Sequence, residues 1–588
     1  MKKLILLNRE ILADDELRNC IIVPLNCVAM RDVLKNELNY IKIEEFIDYR
    51  FCSNNKEKIW QIFQQLLDKA DKIVSQIYGN PKIRNYGPFN AFANGIRQTF
   101  DTIAHNCIIF NNIIHKIRPT EIRLLSQKIN YDSSELITAR FSDTIYKIIL
   151  ESIAKKDDIR FIFHSIEARR GEYLKSRRNI IFQTVINLIK KLRLYYNLKI
   201  AIRETKVNKI DEKALFLQHD WGIYYYSQFF THVINDPEIE AYVTNNEPNE
   251  EHQEIPCVEI LGKLQNEIHG LNKLFGFDVK FIVEATLQRY IKKVPLVNYC
   301  ALRSEVYLRK LNPRFVFFSN LHENMLPFQM ALCWNNKIVK VMKEHGDGMF
   351  DMTVYRNIEL KPVNLYLSEY KEIAEYMKTR AVLANIQVRC EYDGVRLNKY
   401  YRKRKTKNKL VYVPGLFDPR SSFDMDLIPR PLFYRIQIRI LQVLNHQDDI
   451  DDVVYKCLPH YQHDYHFPVP EYITSHFKNI RISRKPLVDE LRDAMFCLLD
   501  SPSSSMWEAI NMNVPCQTLI WNKIHLRNTA ADYYGKFVTY YESDIDVSEK
   551  LHSILRTKRF YTIDPNERKH MKRSPDEITA IFRNEMSS

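Results

Sequence analysis

At 588 residues and 70.1 kDa the chain has room for three or four domains at about 150 residues each. Its 45% hydrophobic and 27% charged residues are the balance of a chain that buries a large core, which excludes a disordered or collagenous protein. A net charge of +14 favours acidic partners without choosing among nucleic acid, an anionic membrane surface and a phosphorylated substrate.

In chain order, residues 20–25 and 40–48 read as short strands. From about 57 apolar residues recur at helical spacing, as in Ile59, Ile62, Phe63, Leu66 and Leu67, and helices are expected to near 200. From about 275 the pattern changes to short apolar runs followed by helical stretches: 278–283, 314–318, 337–342 and 364–367. Beyond Lys399–Lys409, where seven of eleven residues are Lys or Arg, the pattern returns at 409–413, 452–456, 495–499 and 517–520. Strands alternating with helices imply parallel α/β architecture. The boundaries read this way are a mostly helical 1–270, α/β units at 271–398 and 409–545 flanking a basic linker at 399–408, and a helical tail at 546–588.

Only 13 of the residues are glycine, about 2% against a usual share of about 7%. Neither G-x-G-x-x-G nor G-x-x-x-x-G-K-[ST] occurs, which argues against ordinary dehydrogenases and P-loop ATPases. The 11 cysteines include no C-x-x-C pair and read as reduced thiols of a cytoplasmic protein. Asn8, Arg9 and Glu10 end the first apolar run before a signal-peptide core forms, and no run approaches a membrane span.

An open α/β sheet binds ligands beyond the carboxyl ends of its strands, so the residues following each run are the candidates. The run ending at Met342 leads into His345-Gly-Asp347-Gly348, an imidazole and a carboxylate suited to general-base work. The run 452–456 leads into Lys456-Cys-Leu-Pro459-His460, placing positive charge and an imidazole at a strand mouth. The run ending at Leu499 leads into Asp500-Ser-Pro-Ser503-Ser504-Ser505-Met-Trp-Glu508. Serine hydroxyls, free N–H groups and the helix dipole together make an anion site, and simple capping needs only one serine. Arg484 and Lys485 also precede a helix, but a start with Pro486 in the first turn accounts for them. The pairs Asp424/Asp426 and Asp544/Asp546 do not directly follow apolar strands and read as loop acids rather than a metal-binding Asp-x-Asp.

Lys456-Cys-Leu-Pro-His460, Leu498-Leu-Asp-Ser-Pro-Ser-Ser-Ser-Met-Trp-Glu-Ala509 and Val514-Pro-Cys516, taken in order, resemble the nucleotide-binding half of GT-B glycosyltransferases. The bacterial capsule and lipopolysaccharide enzymes are the most similar group. His460 follows Pro459, whereas the family's histidine precedes its proline. His345-Gly346 is similar to the His-Gly of the family's first domain, and Asp347-Gly348 to the base motif of bacterial sialyltransferases.

The resemblance covers roughly 275–545. It implies a GT-B-like pair of Rossmann-like domains behind a large helical N-terminal region, acting on a nucleotide-sugar donor, with a CMP-sugar favoured, and a glycan or glycolipid acceptor. It implies no obligatory metal and no cofactor. His345 or Asp347 would take the acceptor proton; Lys456, Pro459, His460, Ser503, Ser504, Ser505 and Glu508 would hold the donor. The basic block suggests peripheral contact with the anionic inner-membrane surface, and no specific nucleic-acid partner is expected. Two alternatives stay open: a CDP-glycerol-type glycerophosphotransferase, and a non-catalytic protein binding nucleic acid or an anionic surface.

Overall fold

Lys409-Leu-Val-Tyr-Val413 has no polar alternation after its lysine, the pattern of a strand covered on both faces, and all five residues are buried. In the computed structural model this strand is central to the last of three all-parallel sheets. Described are residues 2–128, 143–167, 214–217, 257–275, 280–311, 315–318, 326–343, 356–392, 407–415, 428–457, 468–523 and 534–564, apart from single positions 14, 18, 369 and 502, with a few positions between 573 and 584.

The first sheet contains β1 (Lys3–Asn8), β2 (Ile21–Pro24), β3 (Glu121–Lys128) and β4 (Arg160–Glu167), in the order β2-β1-β3-β4. The long helices Tyr49–Ile77 and Ala93–Ile117 lie between β2 and β3 in the chain. The region expected to be mostly helical thus also carries a four-stranded sheet. β3 and β4 fall where helix was expected; in β3 every residue from Glu121 to Ser126 except Arg123 is buried, the near-continuous run of a strand covered on both faces. The strand expected over 40–48 is instead a 3₁₀ turn at Ile43–Phe46, with one bridge from Tyr40 to Ile22. Ile43 and Phe46, three apart, share the buried face, which suits a three-residue turn.

The second sheet runs in chain order: β5 (Ala214–Leu217), β6 (Phe315–Phe318), β7 (Val339–Lys343), β8 (Leu365–Ser368) and β9 (Arg389–Tyr392). β5 belongs to it although it lies upstream of residue 271. The strand expected at 278–283 is the start of a helix, Lys280–Ile291. Val283, Leu287 and Tyr290 are among its buried residues, at four- and three-residue spacing, so the short apolar run belonged to a helical stripe.

The third sheet contains β10 (Lys409–Val413), β11 (Asp452–Lys456), β12 (Ile480–Ser483), β13 (Phe496–Leu499), β14 (Cys516–Trp521) and β15 (Val538–Tyr541). Its order, β12-β11-β10-β13-β14-β15, is 3-2-1-4-5-6, the doubly wound Rossmann arrangement. The α/β class expected from the sequence is therefore what the chain adopts. Where β10 begins, Lys409 Nζ donates to Glu490 at 2.6 Å and Asp493 at 2.9 Å. Arg481 Nη1 donates to Glu490 at 3.3 Å, and the Ser483 hydroxyl also donates to it. Burial pushes the Glu490 carboxyl up, but these hydrogen bonds outweigh it and hold the group at about 2.

Contacts tie the three units together. Arg435, on the helix Arg430–Asn445 behind β10, is buried and pairs with Glu44 of the first unit and with Asp544 at 3.5 Å. Asp544, read from the sequence with Asp546 as a loop acid, instead starts a helix, Asp544–Thr557, and is a member of a structural ion pair. Asp546 is part of the same helix start, its N–H donating to Ser543 Oγ at 3.2 Å. Asp424 and Asp426 lie outside the described residues. Tyr370, just beyond β8, stacks on Trp507 at 3.8 Å between ring centroids, and Tyr534 meets both rings edge-on.

The C-terminal segment returns to the second sheet. Ile581 is buried against Val339, Val341, Leu365 and Leu367, and Arg573 lies 4.1 Å over the Tyr392 ring while pairing with Glu391 at 3.1 Å. Ile581→Ala is expected to cost about 2 kcal/mol, the low end for a buried isoleucine because the cluster is small. A lower thermal midpoint for the second unit would show it, and an unchanged midpoint would refute the packing role.

Candidate functional site

The strand order reverses between β10 and β13, and the crevice beyond their carboxyl ends is the topological switch point where open α/β sheets take ligands. Two turns line it. After β10 the chain runs Val413-Pro414-Gly415, and after β13 it runs Leu499-Asp500-Ser501. Residues Tyr412 and Val413 pair in register with Leu498 and Leu499, which brings the turns side by side. A Cβ on Gly415 would lie 2.5 Å from Ser501 Oγ and 2.7 Å from Phe433 Cζ, so only glycine fits the approach. Asp500, 1% exposed, accepts from the Gly415 N–H and, at 2.5 Å, from the Tyr412 hydroxyl. Burial pushes its carboxyl up to about 6.

The serine turn follows. Ser503 is the extended N-cap (φ −151°, ψ 165°) of the helix Ser504–Asn511, yet its side chain makes no capping hydrogen bond. The Met506 N–H donates to the Ser503 carbonyl at 3.1 Å, which leaves the N–H groups of Ser504 and Ser505, with the helix dipole, at the start of the helix beyond β13. Met506, Trp507, Ala509 and Ile510 bury the other side of this helix and fix its position. Ser505 is half-buried and Glu508 lies one turn in.

Lys456 ends β11, next to β10, and is only 8% exposed. Its Nζ donates to the Cys457 carbonyl at 2.8 Å and makes no ion pair with a described residue. Burial lowers its pKa; Glu490 and Glu508 are near enough to oppose this in part. Among the described residues this ammonium has one carbonyl acceptor, which leaves two donor positions that could serve an anion.

Of the sequence-predicted site residues, the structure brings Lys456, Ser503, Ser505 and Glu508 to one end of one sheet. Ser504 begins the helix there. His345 and Asp347 lie outside the described residues, two and four positions beyond the end of β7 at Lys343, and Pro459 and His460 lie outside them beyond β11. Arg484 and Lys485 sit at a helix start, with Pro486 as N-cap of Leu487–Leu491, and the Lys485 N–H donates to Ser483 Oγ at 3.2 Å. Sequence reasoning missed Tyr412, Gly415 and Asp500. A Pro-Gly directly after an apolar run, in a chain this poor in glycine, was the available signal.

The second sheet opens toward the same helix. β8 ends at Ser368, whose Oγ accepts from the Tyr370 N–H at 3.2 Å, and Tyr370 stacks on Trp507 of the serine helix. The end of β8 and the serine helix of the third sheet therefore meet at an aromatic contact. Among the described residues no helix is long and apolar enough to cross a membrane.

No protein-family model matches the chain, and no curated protein matches it. Among solved structures, the UDP-GlcNAc 2-epimerase from Neisseria meningitidis bound to UDP-GlcNAc is similar at 9% identity, covering 50% of this chain and 82% of that one, with a TM-score of 0.32. The UDP-N-acetylglucosamine 2-epimerase from Rickettsia bellii is similar at 14% identity, covering 50% and 79%, TM-score 0.34. MurG of Acinetobacter baumannii is similar at 7% identity, covering 46% and 72%, TM-score 0.30. The strand order, not these likenesses, carries the assignment of the third sheet.

Proposed function

We propose that the chain is a GT-B-type glycosyltransferase of surface-polysaccharide biosynthesis, taking a nucleotide-activated sugar at the mouth of the third sheet and passing the sugar to a glycan or glycolipid. The observation that carries this is the buried Lys456 ammonium, without a carboxylate partner among the described residues, at the same end of the sheet as the uncapped serine helix. Preformed donors of this kind stabilise the charge that grows on a departing nucleotide phosphate. Glu508 would accept from a sugar or ribose hydroxyl.

In this reading the acceptor hydroxyl loses its proton to Asp347 or His345, which follow β7, while the donor is held by the third sheet. Pro459 and His460, next beyond Lys456, would border the nucleotide. A CMP-sugar is the favoured donor, on the strength of His345-Gly346, Pro459-His460 and the Ser503–Ser505 segment taken together. The two units, 271–398 and 409–545, would enclose the donor and keep water from it. The basic 399–408 linker would touch anionic lipid.

A thermal-shift series with CMP, CDP, UDP, GDP and dTDP tests this, because a ligand that binds only the native state adds about 2.7 kcal/mol at a hundredfold excess over Kd. A selective rise with CMP, lost in Ser503→Ala/Ser505→Ala, is the expected result. A rise with CDP alone would favour glycerophosphate transfer, and a rise with UDP, GDP or dTDP would change the donor class. No rise with any of them would end the transferase reading.

A further inference from the structure

Asp500 stands apart from the other acids of the third sheet. Glu490 is surrounded by Lys409 and Arg481, whereas Asp500 makes no ion pair with a described residue. The groups that face it are phenols and an amide: Tyr412 of β10, Tyr455 of β11, Tyr541 of β15 and Gln437 of the helix Arg430–Asn445. Its two oxygens are spent on different jobs. Oδ2 accepts from the Tyr412 hydroxyl inside the sheet, and Oδ1 accepts from the Gly415 N–H in the turn across the switch point.

Resting on the anion-binding reading above, we infer that Asp500 is the positioning residue of this mouth, its carboxyl locking the β10 turn against the serine turn so that the phosphate-binding N–H groups stand in fixed register. Three observations converge on this. Asp500 lies between β13 and the serine helix, so any shift of its backbone is passed to Ser503 within three residues. Gly415 cannot carry a Cβ because Ser501 already fills that space, so the two turns are in van der Waals contact as well as hydrogen-bonded. No described cation pairs with Asp500, and although burial raises its carboxyl to about 6 it is still mostly ionised at pH 7; its contacts are hydrogen bonds from neutral donors, so its contribution is hydrogen-bond geometry and not ion pairing.

That distinction makes the inference testable by conservative replacement. In Asp500→Asn the amide oxygen still accepts from Gly415, and the amide N–H₂ can donate to the Tyr412 oxygen once the phenol turns. Asp500→Ala removes both links. Amide hydrogen exchange of the unliganded protein reads the lock directly. The Gly415 amide is expected to exchange at least tenfold faster in Asp500→Ala and near the wild-type rate in Asp500→Asn, with the β14 amides unchanged in both.

Affinity for the nucleotide that stabilises the wild type, measured well below the melting temperature, is expected to fall by about 30-fold in Asp500→Ala and by no more than threefold in Asp500→Asn. Tyr412→Phe, which keeps the Gly415 link, should fall between them and guards against a misfolded alanine variant. Equal loss in the asparagine and alanine variants would show that charge matters and overturn the inference; so would wild-type affinity in the alanine variant. Should no nucleotide bind the wild type, the ligand reading fails, while exchange at Gly415 still decides whether Asp500 sets the turn.

Discussion

Lys456→Met is expected to weaken nucleotide binding by about 10- to 100-fold while leaving the protein as stable as before, or more so. A charge-assisted hydrogen bond to phosphate is worth about 1.5–3 kcal/mol, which sets the size of the loss. The stability effect has the opposite sign because the ammonium is buried and its pKa is lowered in the folded state. Such a lysine opposes folding below its unfolded pKa, where the chain must either desolvate the charge or give up the proton. A bound anion reverses the preference, so affinity should fall as pH rises through the lowered lysine value, and the methionine variant should lose that slope. Titration calorimetry across pH 7–10 and a melting curve check both parts. A variant that melts earlier and binds as well as wild type would return Lys456 to a purely structural role.

The second large effect lies at the other end of the same sheet. Lys409→Met is expected to cost about 3–5 kcal/mol, because it leaves Glu490, 2% exposed, without its closest cation. Lys409→Met/Glu490→Leu should recover much of the loss, since removing both members of a buried pair is often close to neutral. Glu490 also gives the acid limb of stability its sign. Its folded value of about 2 lies below the ordinary 4.5, so the stabilisation, of order 3 kcal/mol, is complete above about pH 4.5 and is lost as pH falls toward 2. Lys409→Met should move that limb to higher pH. Unchanged acid unfolding in the variant would mean that Arg481 and Ser483 alone hold the carboxylate.

The two ends of this sheet were unequally legible. Runs such as 409–413 and 452–456 are apolar, short and bounded by loops, so they were readable as buried parallel strands. The run 278–283 has the same local look, and only the later Leu287 and Tyr290 decide that it is helical. Over 40–48 the alternation of Ile41 and Ile43 suggested a strand, yet Phe46 shows the spacing of a turn. The candidate site was readable where chemistry clusters along the chain, as in Ser503–Ser505. Its floor was not. Gly415 and Asp500 are 85 positions apart and meet only because β10 and β13 pair across the reversal of strand order, which no local pattern encodes.

The return of the C-terminal segment changes what a chain break would do. Residues 399–408 join the second unit to the third, and proteolysis there would ordinarily be expected to separate the two halves. Here the downstream fragment keeps Ile581 under Val339 and Leu365, and Arg573 on Glu391 and Tyr392 of the upstream fragment. Glu44 and Arg435 add a further tie between the same two fragments. A nick within 399–408 is thus expected to leave a non-covalent complex. Either half expressed alone lacks a covering that its partner supplies: the upstream half exposes apolar sheet face, and the downstream half loses the seat of its own C-terminus.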